Sequence, residues 1–285
     1  MDDSKVFIVG AKGQLGLALQ AQYPNAQWAD IDELDITDEA SVSGFDWSKI
    51  RIILNAAAFT NVDGAETNEG RVAAWKVNAS AVGYLTRAAI KHGLTIVHIS
   101  TDYVFDGTKV PHTESEPYGP LSVYGQTKAA GDIAVSLAPK HYILRTSWVI
   151  GEGKNFVRTM LDLGKRGINP SVVSDQIGRL TFTSELVRAI DHLLTSKSPF
   201  GTYNLSNSGE PASWADITRK IFALVNMPNT VTDVTTEKYY EGKEGIAPRP
   251  LGSELDLGKI QATGFESRDW TDDLEAYVKK ELQQA

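Results

Sequence analysis

The sequence predicts an α/β protein in which a doubly wound parallel sheet carries helices on both faces, with a smaller mixed α/β lobe beside it. Short apolar runs alternate with amphipathic stretches in the first half of the chain, as in repeated strand–helix–strand units. The first run leads directly into a glycine-rich turn, and small polar residues follow later runs. The predicted strands cover residues 6–9, 27–29, 52–54, 96–99 and 142–144.

An amphipathic stretch over residues 70–91 predicts helical structure between two strands. Further helical patterns lie at 155–166, 183–195 and 213–226, separated by clusters of Gly, Pro, Asn and Ser. In the stretch 70–91, the apolar residues that recur at roughly helical spacing are Val72, Trp75, Val77, Val82 and Leu85.

The change of pattern after residue 150 suggests two parts of the chain. Residues 1–150 form the main domain, and 151–285, with a loop-rich segment at 227–254, form mainly a lobe over the carboxyl edge of the sheet. Strands from about 170–206 are candidates to return to the main sheet, so these boundaries are approximate.

Composition restricts the partners of the protein. The 285 residues include 28 basic and 36 acidic side chains, a formal charge of −8, which argues against nucleic acid or an anionic membrane as the main partner. There is no cysteine, so disulfides and thiolate sites are excluded. No signal-peptide pattern and no apolar run of ~20 residues is found, and the cytoplasm is therefore the expected location.

A glycine-rich turn joins the first predicted strand to the first helix. Such turns let the backbone approach a pyrophosphate, whose charge lies at the helix N-terminus, so a dinucleotide site is expected here and the main domain is of Rossmann type. A purely structural turn is the alternative. The spacing, with two residues between successive glycines, resembles the extended short-chain dehydrogenase/reductase pattern. The predicted cofactor-binding residues of the turn are Gly10, Lys12, Gly13, Gln14, Leu15 and Gly16.

Acidic and small residues after the next two strands extend the predicted cofactor site. Asp30 follows the second strand, where a carboxylate binds the adenosine ribose of NAD. Ile31 occupies the place where a basic side chain would favour a 2′-phosphate, whereas Lys12 could still meet one, so NADH and NADPH both remain open. Solvated loop charges are the alternative reading of these acids. The other residues predicted beside the cofactor are Asp35, Ile36, Ala56, Ala57 and Ala58.

The predicted chemistry rests on Thr101, Tyr124 and Lys128. A phenol and an ammonium at i and i+4 share one face of a helix, so Lys128 is expected to lower the pKa of Tyr124 and to bind the nicotinamide ribose. Thr101 follows the fourth strand, where it could orient a substrate oxygen while Tyr124 delivers a proton. A plain Ser/Thr/Asp turn is the alternative. The same spacing recurs at Tyr239 and Lys243, with no evident purpose.

Several segments together resemble one family, dTDP-4-dehydrorhamnose reductase, over almost the whole chain, from Val6 to about Phe265. The run Thr-Asp-Tyr-Val-Phe-Asp-Gly is the narrowest of these motifs, together with Arg-Thr-Ser-Trp and Lys-Asn-Phe-Val. The resemblance is carried by residues 13–16, 60–66, 100–107, 124–128, 145–149, 153–157 and 249–250.

The resemblance implies reduction of the C4 ketone of dTDP-4-dehydro-β-L-rhamnose to dTDP-L-rhamnose with NADPH or NADH. Tyr124 would be the proton donor and Lys128 its partner, with Thr101 and Asp102 beside the ketone. Asn78 resembles an asparagine that braces the active site and is counted with the cofactor-binding residues; an asparagine facing solvent is the alternative. The further residues that the resemblance assigns to substrate binding are Tyr103, Trp148, Asn155 and Arg249.

Two departures from the family pattern affect the expected assembly. Ala18 stands where many members carry a glutamate linked to a magnesium-bridged dimer, so no metal site and a monomer or weak homodimer are expected. Leu180 replaces a proline, and the sequence around it is similar to that of reductases fused to a sugar 3,5-epimerase. A fusion to such an epimerase, or an association with one, is therefore open.

Two other classes compete with a reductase. A nucleotide-sugar 4-epimerase or 4,6-dehydratase shares the glycine turn and the Tyr/Lys pair, but a dehydratase needs a carboxylic acid where this chain has Tyr103. A non-catalytic, cofactor-binding regulatory subunit is the second alternative. The presence of Thr101, Tyr124 and Lys128 together argues against it.

Overall fold

A parallel sheet of six strands forms the centre of the computed structural model, which describes residues 1–284. The strand order across the sheet is β10-β5-β4-β3-β1-β2, and all neighbouring pairs are parallel. The five strands expected from the sequence are confirmed. The strands are β1 (Val6–Val9), β2 (Gln27–Ala29), β3 (Ile52–Asn55), β4 (Thr95–Thr101), β5 (His141–Thr146), β6 (Val149–Ile150), β7 (Ser171–Val173), β8 (Ile177–Gly178), β9 (Thr181–Phe182), β10 (Gly201–Asn204), β11 (Ala212–Ser213) and β12 (Thr232–Val234).

Helices cover both faces of this sheet and build the smaller lobe. The three helices expected after residue 150 are confirmed as α6, α7 and α8. The α-helices are α1 (Gln14–Gln22), α2 (Glu39–Gly44), α3 (Asn68–Trp75), α4 (Ala81–His92), α5 (Val123–Ser136), α6 (Phe156–Lys165), α7 (Thr183–Thr195), α8 (Trp214–Leu224), α9 (Thr236–Tyr240), α10 (Gly258–Gln261) and α11 (Trp270–Gln284).

The helical pattern over 70–91 is confirmed, although the stretch is not one regular α-helix. A π-helical turn at Lys76–Ser80 separates α3 from α4 and rotates the two helical faces relative to each other. As a result Val82 and Leu85 are buried against the sheet, whereas Val72 is 68% and Trp75 42% exposed. The same turn places Asn78 in the interior.

Two apolar layers enclose the main sheet, and a third core belongs to the lobe. Helices α1 and α7 pack on one face, where Leu19 and Ile190 are buried, and α4 and α5 pack on the other. The lobe is built around α6, α8 and α11, with three pairs of short strands: β6–β9, β7–β12 and β8–β11. Strand β10 lies at the edge of the main sheet beside β5, although it follows β7, β8 and β9 in sequence. The chain therefore enters the lobe, returns to the sheet and leaves it again.

No helix among residues 1–284 is long and apolar enough to cross a membrane.

Substitutions at two glycines should have opposite effects on stability. An alanine Cβ at Gly16, in α1, would lie 2.2 Å from the carbonyl oxygen of Gly10, so α1 would have to move off the sheet. A Cβ at Gly83, inside α4, meets no atom within 4 Å. We expect Gly16→Ala to lower the free energy of unfolding by about 1–3 kcal/mol through overpacking, and Gly83→Ala to raise it by about 0.5–1 kcal/mol through helix propensity.

Urea denaturation of the two variants beside the wild type measures both effects. Equal changes of the same sign would contradict the close approach of α1 to the glycine turn.

Candidate active site

A cavity of about 420 Å³ lies at the carboxyl ends of β1, β2 and β3, where doubly wound folds bind ligands. The glycine turn forms one wall, and the small residues after β3 form another. Of the predicted cofactor-binding residues, the structure brings nine together in the lining: Gly10, Lys12, Gly13, Asp30, Asp35, Ile36, Ala56, Ala57 and Ala58.

The backbone of this cavity fits a dinucleotide. Gly10 has φ of +77°, and a Cβ there would lie 2.6 Å from the backbone of Ala57, so the turn and the end of β3 touch. A Cβ at Gly13 would meet only the carbonyl oxygen of Gly10, at 3.4 Å. Space is therefore open in front of the N-terminus of α1, where backbone N–H groups can bind a pyrophosphate.

The remaining six predicted cofactor residues do not line this cavity: Gln14, Leu15, Gly16, Asn78, Tyr124 and Lys128. Leu15 packs in the core beside Leu19, so only its backbone can serve the turn. Gln14 begins α1, and its buried Oε1 accepts no hydrogen bond from the described residues. Asn78 is fully buried, so the solvent-facing alternative is wrong. Its Oδ1 accepts the N–H of Phe59, and its Nδ2 donates to the Phe59 carbonyl and to Thr127 Oγ1.

The cavity lining at the end of β2 is acidic. Asp30 accepts the backbone N–H groups of Lys12 and Ile31, each at 2.9 Å, which fixes its carboxylate at the strand end. The ammonium of Lys12 lies 2.7 Å from Asp32 and 3.6 Å from Glu33. The one cationic side chain of the cavity lining is thus already paired with carboxylates.

The predicted catalytic residues converge beside this cavity. Thr101, at the end of β4, donates to Asp102 Oδ1 at 2.9 Å and accepts the N–H of Tyr103 at 3.2 Å. Tyr124 and Lys128 lie on α5, which begins at a Ser122 cap. The ring of Tyr124 packs edge-on against that of Tyr103, with centroids 5.5 Å apart.

Burial controls protonation in this group. The pKa of Tyr124 lies above the usual value of 10, because the ring is buried and Asp102 is near; contact with the Thr101 hydroxyl acts against this. The expected lowering by Lys128 is therefore wrong for the protein without cofactor. The Lys128 ammonium instead donates to the Ile99 carbonyl at 2.6 Å, and burial lowers its pKa to about 8. Tyr124 accordingly holds its proton over the working range of pH.

Asp102 is also buried, and burial raises its pKa to about 6. Tyr103, in the position where a dehydratase needs an acid, has its pKa raised by burial and by Asp102, so the phenol stays neutral. The group beside Thr101 therefore contains one carboxyl and two neutral phenols.

A second cavity, of about 250 Å³, lies under the lobe and is mainly aromatic. Three residues predicted to bind substrate line it: Tyr103, Trp148 and Arg249. Trp148 has φ of 47° and stacks on Trp214 with centroids 3.8 Å apart. The lining residues that the sequence did not reveal include Phe156, Gln176, Trp214, Tyr239 and Tyr240.

For Tyr239 and Tyr240, the only signal in the sequence is the second Tyr/Lys pair four residues apart, Tyr239 and Lys243. In the structure α9 turns Tyr239 toward the cavity, and the Lys243 ammonium lies over its ring at 4.1 Å. This segment is therefore a wall of the second cavity.

Arg249 is held by an acid from the main domain. Its guanidinium donates from both Nη atoms to the Asp63 carboxylate, at 2.8 and 3.0 Å, and stacks over the Tyr240 ring. Asp63 belongs to the loop after β3 that continues to Glu66, whose Oε1 accepts the N–H of Val123 at the start of α5. One loop thus links Arg249 to the helix that carries Tyr124.

Asn155 does not line the second cavity, so the structure gives no support for the predicted contact with the sugar. Its Oδ1 accepts the N–H of Arg158 and caps α6, and its Nδ2 donates to the Gly151 carbonyl and to the Tyr277 hydroxyl, both at 2.8 Å. Every polar group of the side chain is used within the protein, which makes Asn155 a structural residue of the lobe.

Among residues 1–284 no group of three or more metal-ligating side chains is found.

Replacing Asn155 should affect stability rather than substrate affinity. We expect Asn155→Ala to lower the free energy of unfolding by about 2 kcal/mol, because it removes a helix cap and leaves buried groups unpaired. Asn155→Asp keeps the cap acceptor and should lose less. Denaturant unfolding and the KM for the sugar nucleotide are the measurements; a tenfold rise in KM with unchanged stability would restore the sugar contact.

Comparison with known proteins gives one consistent family. The family model described as RmlD substrate binding domain matches residues 4–283. A dTDP-4-dehydrorhamnose reductase from Aggregatibacter actinomycetemcomitans is 41% identical over 290 aligned positions, covering 94% of this chain and 96% of the relative.

Solved structures agree with this match. The dTDP-4-dehydrorhamnose reductase from Clostridium acetobutylicum has a TM-score of 0.90 at 38% identity, covering 98% of this chain and 99% of the other. The enzyme of that name from Bacillus anthracis, in complex with NADP, has a TM-score of 0.88 at 35% identity and covers 96% and 98%. The cavity at the glycine turn, the Thr101, Tyr124 and Lys128 group and these matches agree: the chain belongs to the dTDP-4-dehydrorhamnose reductase family.

Proposed function

We propose that this protein reduces the C4 ketone of dTDP-4-dehydro-β-L-rhamnose to dTDP-L-rhamnose, with hydride from NADH or NADPH and a proton from Tyr124. The observation that carries the proposal is the position of Tyr124. Tyr124 packs on the same buried cluster, Ala65, Ala74 and Val123, as Phe59, which follows the alanines of the cofactor cavity. Its ring also packs against Tyr103, which lines the aromatic cavity. A proton donor at this place can serve a substrate that meets the cofactor.

Each residue has a definite task in this reaction. The bound nicotinamide supplies the hydride to the carbonyl carbon. Tyr124 transfers its hydroxyl proton to the carbonyl oxygen as negative charge develops there, and the Lys128 ammonium stabilises the phenolate that remains. Thr101 orients the ketone. Its hydroxyl donates a hydrogen bond to Asp102 Oδ1 in this structure. When Asp102 is protonated, the Thr101 hydroxyl is free to donate to the substrate oxygen instead.

The lobe would hold the nucleotide part of the substrate. Aromatic rings suit a base, and the Arg249 guanidinium suits a diphosphate through paired hydrogen bonds. The 4,6-dehydratase alternative is not favoured, since Tyr103 offers no carboxylic acid beside Asp102. We further propose action in the cytoplasm as a monomer or weak homodimer, with fusion to or association with a 3,5-epimerase as an open possibility for a longer polypeptide.

The direct test is an assay with dTDP-4-dehydrorhamnose, followed through oxidation of NADH or NADPH. Tyr124→Phe should lower kcat about 10²–10⁴-fold, because the proton donor is lost, while the Kd for NADH stays within twofold. Lys128→Met should damage both quantities, because the ammonium serves the phenol and the ribose.

Tyr142→Phe is the matched control, since that buried hydroxyl donates only to the carbonyls of Leu193 and Ser198. It should lower stability and leave kcat unchanged. Unchanged turnover in Tyr124→Phe would remove the proton-donor role. Absence of any ketone-dependent oxidation in the wild type would remove the proposed function.

We also propose that NADH binds more tightly than NADPH. A 2′-phosphate would meet the fixed carboxylate of Asp30, and Lys12 is already paired with Asp32. Fluorescence titration should give a Kd for NADPH about tenfold above that for NADH, equivalent to ~1.4 kcal/mol of charge repulsion.

Two variants test the cause of this preference. Ile31→Arg, at an exposed position on the rim, should improve NADPH binding, and Asp32→Asn should do so by releasing Lys12. Neither change should weaken NADH binding. Tighter binding of NADPH by the wild type would contradict the argument.

A further inference from the structure

A cluster of buried polar side chains lies behind Lys128, and the reaction described above does not use it. Its members come from four neighbouring elements: Asn55 from β3, His98 from β4, Asp132 from α5 and Arg145 from β5. None is more than 3% exposed. Burying one acid and two basic side chains at this depth is expensive unless they are paired, so their arrangement requires an explanation.

Asn55 fixes the tautomer of His98. The backbone N–H of Ala57 donates to Asn55 Oδ1 at 3.2 Å, which identifies the other end of the amide as the nitrogen. This Nδ2 lies 3.1 Å from His98 Nδ1 and can only donate, so Nδ1 must be free of a proton. Burial and the Lys128 charge lower the pKa of His98, and the ring is therefore neutral with its proton on Nε2.

The protonated Nε2 faces both Lys128 and Asp132. It lies 3.5 Å from the Lys128 ammonium and 3.9 Å from Asp132 Oδ1, an oxygen that accepts no hydrogen bond from the described residues. Because Nε2 carries a proton, it cannot accept from the ammonium. The inward hydrogen bonding of Lys128 is thereby limited to the Ile99 carbonyl.

Asp132 provides the counter-charge. Its Oδ2 accepts from Arg145 Nε at 3.2 Å, and its charge acts against the burial that lowers the pKa of Lys128. The packing is close, since a Cβ at Gly131 would lie 3.4 Å from His98 Nε2. Apart from Asp132 and Arg145, the titratable groups on β3, β4, β5 and α5, besides Lys128 itself, are His98, Tyr124, His141 and Tyr142, and Asp102 and Tyr103 follow β4.

We propose that His98 and Asp132 are positioning residues for Lys128. Neutral His98 denies the ammonium a second inward hydrogen bond, and Asp132 keeps it charged, so its two remaining N–H donors turn toward Tyr124 and the cofactor ribose. The proposal rests on the proposed function for the role of Lys128. It adds two residues that neither contact the substrate nor line a cavity.

Two amide variants separate the roles of the two ring nitrogens. In His98→Gln the terminal NH₂ can take the place of Nε2–H beside Asp132. In His98→Asn the amide stays near Asn55, and the group beside Lys128 is lost. We expect His98→Gln to keep kcat within about threefold, and His98→Asn to lose about tenfold or more with an unchanged KM for the sugar nucleotide, because the ammonium is misplaced.

A merely structural role gives a different pattern. Both variants would then lose melting temperature to similar extents, with kcat and the pH profile of the folded fraction unchanged. Either that result or equal losses of kcat in the two variants would overturn the proposal.

The Asp132→Asn variant tests the effect of the Asp132 charge on Lys128 by NADH binding, without any measurement of turnover. The wild type should lose NADH affinity as pH rises through about 8, where Lys128 gives up its proton. Without the Asp132 charge the lysine pKa falls, so the loss should begin at a pH about one unit lower, a tenfold change in the deprotonation equilibrium.

The measurement is the Kd for NADH from pH 6 to 10, with a melting curve at each pH to confirm folding. An unshifted profile would overturn the role of Asp132. Since this titration needs no sugar substrate, it decides the inference even if the ketone assay fails, and a failed ketone assay alone would count only against the proposed function.

Discussion

The burial of one ammonium group, that of Lys128, is the constraint on which the active site depends. A charge at 2% exposure is tolerated only where acceptors and a counter-charge surround it, and the Ile99 carbonyl and Asp132 provide them. These contacts join α5 to β4. The packing of α5 on the sheet therefore fixes the height of Tyr124 above the strand ends, from which it would protonate the ketone in the proposed reaction.

The two cavities differ in how rigidly they are built. The cofactor cavity is formed by strand ends and a glycine turn in backbone contact with β3, so little of it can move. The aromatic cavity is closed by the short helix α9 and by the loop that carries Arg249. Loops are generally more mobile than the ends of sheet strands. A rigid site for the shared cofactor beside a more adaptable site for the sugar nucleotide is a common arrangement in doubly wound enzymes.

Local patterns in the sequence were sufficient for the strands, the glycine turn and the shared face of Tyr124 and Lys128, because each depends on neighbouring residues. The direction in which the Tyr124 pKa shifts depends on the burial of the ring and on the nearby Asp102, and the spacing of residues in the sequence shows neither. Asn155 carries a family motif but caps a helix, and the π-helical turn redirects Val72 and Trp75 outward. That Tyr239 lines the second cavity could not be predicted from the sequence, because residues in loop-rich segments show no periodicity.

With Arg249 as the proposed site of the diphosphate, the Asp63–Arg249 pair would make nucleotide binding an exchange of anions. A diphosphate that takes the guanidinium must displace a carboxylate, so an uncharged sugar has no means of opening the pair, and charge selects the ligand before shape does. The released Asp63 belongs to the loop that also holds the first turn of α5 through Glu66. In the proposed reaction, occupancy of the lobe would thereby act on the helix that carries Tyr124, and the substrate's own phosphates would take part in completing the site that reduces it.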